Sequence, residues 1–285
     1  MEIHVAKSAG FCFGVKRAVR MALDAAKTEA GPVYMLGDIV HNEHVIRELR
    51  EVGIQVVDSL DHVDSGTLLI RAHGSVPEVY ETARKKGLKI LDATCSLVLE
   101  IHKIARQLQE EGYTIVIIGD HGHDEVIGIA GQVESPIIVS SSQEAAEKID
   151  KLARIGVVVQ STQNIENVQQ IVSVLAGKCR ELRFVNTICY TTTNHQRDIR
   201  ELPLENDIMI IIGSRNSANT CRLTEISQEL NPRTYQVESA DEVLPQWFEG
   251  VKSIGVSAGA STPDIIINEV IEKIQQITEQ LVSER

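Results

Sequence analysis

Three cysteines, Cys12, Cys95 and Cys189, are the residues of this chain whose type and placing say most about chemistry. Around Cys95, the apolar Leu88, Ile90 and Leu91 read as a strand, and Asp92, Ala93 and Thr94 turn out of it. Behind it, Leu97, Ile101, Ile104, Ala105 and Leu108 fall at helical spacing. The cysteine therefore stands where a helix begins, among backbone N–H groups with no helical partner and at the positive end of the helix dipole. That setting suits anionic sulfur. Cys12 and Cys189 also precede helical patterns. Three thiolates from distant segments bind zinc, bind an iron–sulfur cluster, or do neither. For one cysteine alone a small buried hydrophobe is the commoner outcome; a threefold recurrence reverses that expectation. Zinc favours closely spaced pairs such as Cys-x2-Cys, and none occurs here. A 4Fe–4S cluster usually takes four cysteines, so three would leave one iron open as a Lewis acid. Cys179 and Cys221 lie outside the matching turns and read as packing or surface thiols.

The elements that must position these residues repeat with them. Each cysteine is followed by a helix and then by an apolar strand ending in glycine: Pro32–Gly37, Ile115–Gly119 and Ile208–Gly213. The cysteine-to-glycine offsets are 25, 24 and 24 residues. Any α/β protein repeats strand, turn and helix, but that does not predict an offset held to one residue three times. His41, His123 and Ser217 take matching places after the glycines, at offsets of 29, 28 and 28 from their cysteines. A second strand-to-helix turn follows in each third: Ile70-Arg-Ala-His73-Gly-Ser-Val-Pro77, Val159-Gln160-Ser161-Thr162, and Val256-Ser-Ala-Gly-Ala-Ser261-Thr262-Pro263. Proline followed by an acid, at Pro77-Glu78 and Pro263-Asp264, marks a helix start.

Strands alternate with helices throughout, which predicts an α/β fold with parallel sheets. The repeat divides it into three related α/β units, residues 12–95, 96–187 and 188–285, with the N-terminal strand of residues 1–11 joining the third. Ligands of parallel α/β units bind outside the carboxyl ends of the strands. Three units about a pseudo-threefold axis would aim their turns at one central space. His41, His73, His123, Ser217, Asn219 and Ser261 would ring it with hydrogen-bond donors at helix starts, a setting for phosphate or diphosphate. His4, His44, His62, His102, His121 and His195 read instead as caps or core hydrogen-bonders, and Asp38 and Asp120 as turn residues. Glu125 follows His123 at a helix start. It is either a helix-dipole acid or a proton donor in a buried site, with Ser161 or Thr162 relaying through a hydroxyl.

Composition narrows the function further. Twenty-eight basic against 40 acidic residues give a net charge of −12, which argues against a nucleic-acid partner. Aromatics at 4% offer no base-stacking platform. No apolar run approaches ~18 residues, so no membrane span is expected. The start of the chain, Met-Glu-Ile-His-Val, has no apolar leader pattern. An odd count of five cysteines points to a reducing, cytoplasmic setting rather than a disulfide framework.

Together these residues resemble the 4-hydroxy-3-methylbut-2-enyl diphosphate reductase family of the non-mevalonate isoprenoid pathway. The resemblance runs through Gly10-Phe-Cys12-Phe-Gly14, Val40-His41-Asn42, Ala72-His73-Gly74, Asp92-Ala-Thr-Cys95, Gly122-His123-Asp-Glu125, Ile188-Cys189-Tyr-Thr-Thr-Thr-Asn194, Gly213-Ser-Arg-Asn-Ser217 and Ala258-Gly-Ala-Ser261-Thr-Pro263. It implies a trefoil of three units around a 4Fe–4S cluster held by Cys12, Cys95 and Cys189. It implies diphosphate binding by His41, His73, His123, Ser217, Asn219 and Ser261, and proton delivery by Glu125. It further implies an allylic diphosphate as substrate and electrons from a donor such as ferredoxin or flavodoxin. Two positions depart from the family. Ser161 stands where a threonine is frequent before Thr162, so a hydroxyl survives and both residues stay in the expected substrate site. Ala218 stands where a serine is frequent, which leaves only its backbone N–H to donate. A cluster-dependent hydro-lyase and a cluster-based redox sensor are the competing readings.

Overall fold

A computed structural model describes residues 1–283 as α/β, with three four-stranded sheets in which every strand pair is parallel. The chain forms two compact units. One comprises Met1–Val15, His41–Val45 and everything from Tyr190 onward; the other comprises Lys16–Val40 and Ile46–Cys189.

In chain order the strands are β1 (Glu2–Val5), β2 (Val33–Leu36), β3 (Gln55–Val57), β4 (Thr67–Ile70), β5 (Lys89–Asp92), β6 (Thr114–Ile118), β7 (Ile137–Val139), β8 (Leu152–Val159), β9 (Cys179–Phe184), β10 (Ile208–Ile212), β11 (Thr234–Val237) and β12 (Ser253–Ala258). The helices are α1 (Phe13–Thr28), α2 (Glu43–Glu51), α3 (Pro77–Lys85), α4 (Ser96–Glu110), α5 (Asp124–Ala130), α6 (Ser142–Lys148), α7 (Ile165–Ala176), α8 (Tyr190–Glu205), α9 (Ala218–Leu230) and α10 (Asp264–Ser283). The second unit holds the sheets β3-β2-β4-β5 and β7-β6-β8-β9. The first holds β11-β10-β12-β1. The three orders are the same. The third takes its fourth strand from the start of the chain, where Glu2 lies opposite Ser253 and Val5 opposite Val256.

The apolar runs that read as strands are the centres of these sheets. β10 is isoleucine and methionine throughout and fully buried, with Ile208, Ile210 and Ile212 packed on α10 residues such as Val270 and Ile274. Val116, Ile118, Val157 and Val159 pack on α7, and Ile115 and Ile117 pack on α4 through Ile101, Ala105 and Leu108. Strands buried on both faces must be apolar at every position, which is why these runs do not alternate.

The turns after the strands are equally regular. The glycine after each second strand donates its N–H to the last residue of the neighbouring edge strand: Gly37 to Val57 at 3.0 Å, Gly119 to Val139 at 3.0 Å and Gly213 to Val237 at 2.9 Å. At Gly119 a side chain is excluded by contact, because a Cβ there would stand 2.5 Å from Val126 Cγ2. Pro77 occupies the first turn of α3, and Pro263 stands one residue before α10.

Each cysteine follows the fourth strand of its sheet and opens a helix: Cys95 between β5 and α4, Cys189 between β9 and α8, and Cys12 between β1 and α1. The turn before Cys95 is pinned by side chains from elsewhere in the second unit. Asp92 Oδ1 accepts from the Thr94 N–H at 2.9 Å and from its hydroxyl, and Asp92 Oδ2 accepts from Tyr80 Oη at 3.1 Å. Arg17, on α1, donates to the carbonyls of Thr94 at 3.1 Å and Asp92 at 3.4 Å. One planar guanidinium thus holds two carbonyls of the same turn, which a lysine ammonium cannot match in geometry. Arg17→Gln is expected to destabilise the chain by about 1–3 kcal/mol, the range for lost charge-assisted hydrogen bonds, and Arg17→Lys to restore less than half of that. Urea unfolding followed by circular dichroism measures both; an unchanged midpoint for Arg17→Gln contradicts the bracing role.

Candidate functional site

The backbone of each cysteine is fixed by one recurring hydrogen bond. The Cys12 N–H donates to the Ala260 carbonyl at 3.1 Å, Cys95 to Ala72 at 3.0 Å and Cys189 to Ser161 at 2.9 Å. Each acceptor lies two residues beyond the end of the third strand of the same sheet, β12, β4 or β8. The second turns are therefore tied to the cysteine turns, which places His73, Ser161 and Ser261 within one residue of a carbonyl that holds a cysteine.

The sulfur of Cys12 also differs from those of Cys179 and Cys221. None of the five cysteines forms a disulfide, and all are half-buried. Cys179 opens β9 and Cys221 lies inside α9, and each points its Sγ at a backbone carbonyl, Leu175 at 3.4 Å and Arg215 at 3.0 Å. A thiol there acts as a hydrogen-bond donor, and burial pushes the Cys179 thiol pKa up. Cys12 Sγ instead accepts, from the Val15 N–H at 3.4 Å. A sulfur that caps a helix N-terminus as acceptor is suited to negative charge and to a metal.

In the second unit, Glu125 stands in the first turn of α5 and is 2% exposed. Its carboxylate accepts from the Ser161 N–H at 2.6 Å and from Ser161 Oγ at 2.7 Å. Burial raises its pKa, the Ser161 bonds oppose that, and the nearby Asp120 adds to it; burial wins and the group is shifted toward the protonated form. The Thr162 hydroxyl is engaged elsewhere, its Oγ1 accepting from Gln160 Nε2 at 2.8 Å. Ser161 is the hydroxyl in contact with Glu125. His123 caps α5: its Nδ1 accepts from the Glu125 N–H at 3.1 Å, which puts the proton of the neutral ring on Nε2 as a donor. The His73 ring meets it edge to face, centroids 5.7 Å apart.

In the first unit, Ser217 caps α9, its Oγ accepting from the Thr220 N–H at 3.4 Å. Ser261 Oγ lies 3.4 Å from Ser217 Oγ and 3.3 Å from the His41 carbonyl. Asn219, 4% exposed, reaches His195 Nδ1 through Nδ2 at 3.4 Å, and its Oδ1 has no hydrogen-bond partner among the described residues. Ala218 begins α9, so its N–H is one of the amides that a helix leaves unpaired. This unit thus gathers His41, Ser217, Ala218, Asn219 and Ser261, and the other gathers His73, His123, Glu125, Ser161 and Thr162.

Several supporting residues carry no local sequence signal. Gln160 Oε1 accepts from the Asp120 N–H at 2.8 Å and Gln163 Nε2 donates to Asp120 Oδ1 at 2.9 Å, so two buried glutamines hold the turn that leads to His123. Thr187 Oγ1 accepts from the Val159 N–H at 2.8 Å and donates to its carbonyl at 2.5 Å, bracing the segment before Cys189. His195, buried and held toward the neutral form by burial, backs Asn219. His102 lies against Gly74 and Gly128 beneath the His73 turn, and burial followed by Arg106 lowers its pKa to about 4.

The chain is similar to known proteins over nearly its whole length. The LytB protein family profile matches residues 3–275. The 4-hydroxy-3-methylbut-2-enyl diphosphate reductase of Aquifex aeolicus is 45% identical, covering 99% of each chain. That of Geobacter metallireducens is 45% identical over 97% of this chain and 98% of its own. Among solved structures, an (E)-4-hydroxy-3-methyl-but-2-enyl diphosphate reductase is 43% identical, covers 97% of this chain and 100% of its own, and superimposes with a TM-score of 0.71. The E-1-hydroxy-2-methyl-but-2-enyl-4-diphosphate reductase of Plasmodium falciparum, at 29% identity, covers 95% of this chain and 87% of its own with a TM-score of 0.91. With the three sheets, the cysteine turns and the Glu125–Ser161 pair already placed, these likenesses make the chain a member of the LytB family.

Proposed function

We propose that this chain is an oxidoreductase that removes the hydroxyl of (E)-4-hydroxy-3-methylbut-2-enyl diphosphate with two electrons and two protons. The products are water with isopentenyl or dimethylallyl diphosphate. Family membership and relatives of 40–45% identity carry the activity. The hydro-lyase and redox-sensor readings gain no support from them.

The cofactor we assign is a 4Fe–4S cluster held by Cys12, Cys95 and Cys189. What supports it is the recurring amide-to-carbonyl tie that gives these three cysteines, and neither of the other two, one backbone setting. Their half-buried thiols at helix starts fit a soft metal centre. When bound, such a cluster supplies electrons and an iron with an open position. We propose a division into three related units, 12–95, 96–187 and 188–285, the last joined by residues 1–11; the three equal strand orders support it, whereas contacts alone group the chain into two units. We assign a cytoplasmic setting from five cysteines of which none forms a disulfide; separately, no helix among the described residues is long and apolar enough to cross a membrane.

The rest of the reaction falls to side chains. His41, His73, His123, Ser217, Asn219 and Ser261, with the Ala218 amide, would hold the diphosphate as hydrogen-bond donors at helix starts. Glu125 would hold a proton, because burial keeps its carboxyl from ionising at the usual carboxylate pH. When Glu125 is protonated, its Oε2 donates to Ser161 Oγ. The serine hydroxyl is then free to donate onward, so the pair can pass a proton without exposing the carboxyl. Thr162, bonded to Gln160, would bind rather than relay.

Two outcomes test this reading. Cys12→Ser, Cys95→Ser and Cys189→Ser are each expected to lose more than half of the iron of anaerobically purified protein and nearly all turnover, while Cys179→Ser and Cys221→Ser keep both. Iron and sulfide analysis beside a reduced-viologen assay measures this, and equal losses in all five variants would refute the ligand assignment. Glu125→Gln is expected to keep the diphosphate affinity but lower kcat by about 10²–10⁴-fold, the usual worth of a positioned proton donor. A proton donor must be protonated, so the wild-type rate falls as pH rises through the raised Glu125 pKa, and the residual rate of the variant lacks that limb. A Glu125→Gln enzyme with a wild-type pH–rate profile removes the role.

A further inference from the structure

Phe13, at 79% exposure, and Tyr190, at 78%, are the two most exposed large apolar side chains among the described residues. Each directly follows a proposed cluster ligand, in a chain with only 4% aromatics. The third helix has Leu99, 43% exposed, one turn past Cys95. Eight residues past each cysteine stands an exposed cation: Arg20, Lys103 and Arg197, with side chains 85%, 67% and 65% exposed. An exposed apolar side chain followed by a cation thus recurs on all three helices that open at a cysteine, the cation two turns past Phe13 and Tyr190 and one turn past Leu99.

On α1, Phe13, Lys16 and Arg20 are spaced three and four residues apart, which lays them along one face, and all three are exposed. This stretch has no acid before Asp24, in a chain of net charge −12. Each of the three cations has one acid within reach, at 3.7 Å for Asp24, 3.9 Å for Glu100 and 3.6 Å for Asp198. Exposed pairs of this kind are weak and easily exchanged for a partner's carboxylates.

We propose that the Phe13–Lys16–Arg20 face of α1 docks an acidic electron-transfer protein that reduces the enzyme beside Cys12. The inference rests on the reductase reading, which requires electrons from outside the chain. Each turnover breaks one C–O bond, takes up two protons and oxidises two one-electron donors, with water as the leaving product. A cationic face steers an acidic donor, and the aromatic gives it an apolar anchor at the ligand itself. A small-molecule reductant needs neither.

The test compares reduced acidic plant-type ferredoxin with reduced methyl viologen as electron source. For the double variant Lys16→Glu/Arg20→Glu, the KM for ferredoxin is expected to rise by about tenfold or more, with the viologen-driven kcat within about twofold of wild type. The wild-type KM for ferredoxin climbs with added salt, and the variant loses that climb. An unchanged KM, or an equal loss with both reductants, overturns the proposal. Calorimetric titration of oxidised ferredoxin into the anaerobic holoenzyme reads docking without turnover. Tight binding weakened by the double substitution supports the face, and equal binding overturns it. Absence of viologen-driven turnover in the wild type would instead remove the reductase reading, and the titration would still decide the docking.

Discussion

The hydrogen bond from each cysteine amide to a carbonyl two residues past the third strand is the constraint on which the rest depends. It joins two turns that leave neighbouring strands of one sheet, so parallel pairing of those strands sets where the cysteine stands. Backbone groups make the bond, and the strands that lead to its acceptors are fully buried at their centres, as at Leu69, Val158 and Val256, while the strands that lead to the cysteines are the more exposed sheet edges. A buried backbone donor left unpaired is costly, so the turn cannot drift without opening the sheet end. The same bond recurs in all three sheets, including the one whose fourth strand comes from the start of the chain. What repeats is therefore a way of fixing sulfur, and the sequence around each sulfur is free to differ.

The same turns carry the acid chemistry. Ser161 holds Cys189 through its carbonyl and Glu125 through its N–H and hydroxyl. One residue thus links the sulfur turn to the proposed proton donor, and His123 caps the helix on which Glu125 stands. Burial opposes the charge on Glu125 while the two Ser161 bonds favour it, and burial outweighs them, so the pKa lies above the ordinary carboxylate value. Chemistry and support are divided among residue types accordingly. Serine, histidine and asparagine stand at helix starts, and buried glutamines and Thr187 hold the loops between.

Much of this was legible before any coordinates. The cysteine-to-glycine offsets marked the repeat because a strand, a turn and a helix of fixed length must lie between them. The helix-start places of Cys95, His123, Ser217 and Pro77 followed from apolar spacing and capping chemistry. The amide-to-carbonyl ties were not legible, since every residue carries a backbone donor and acceptor and no side-chain type marks the pair that meets. Gln160, Gln163, Thr187 and Arg17 escaped for a related reason. Each acts on residues 28 to 77 positions away, and nothing in a local window records such a partner. The choice between Ser161 and Thr162 also needed geometry, because adjacent hydroxyls differ only in which way they face.

The central claim, that three equivalently fixed sulfurs hold one four-iron cluster, meets its most direct test in Mössbauer spectroscopy of protein reconstituted with 57Fe under anaerobic conditions. Three protein ligands on four irons predict two iron environments in a three-to-one ratio, with the single iron responding to added substrate. A preparation that turns substrate over while binding no iron, or one whose four irons stay equivalent with and without substrate, would contradict it.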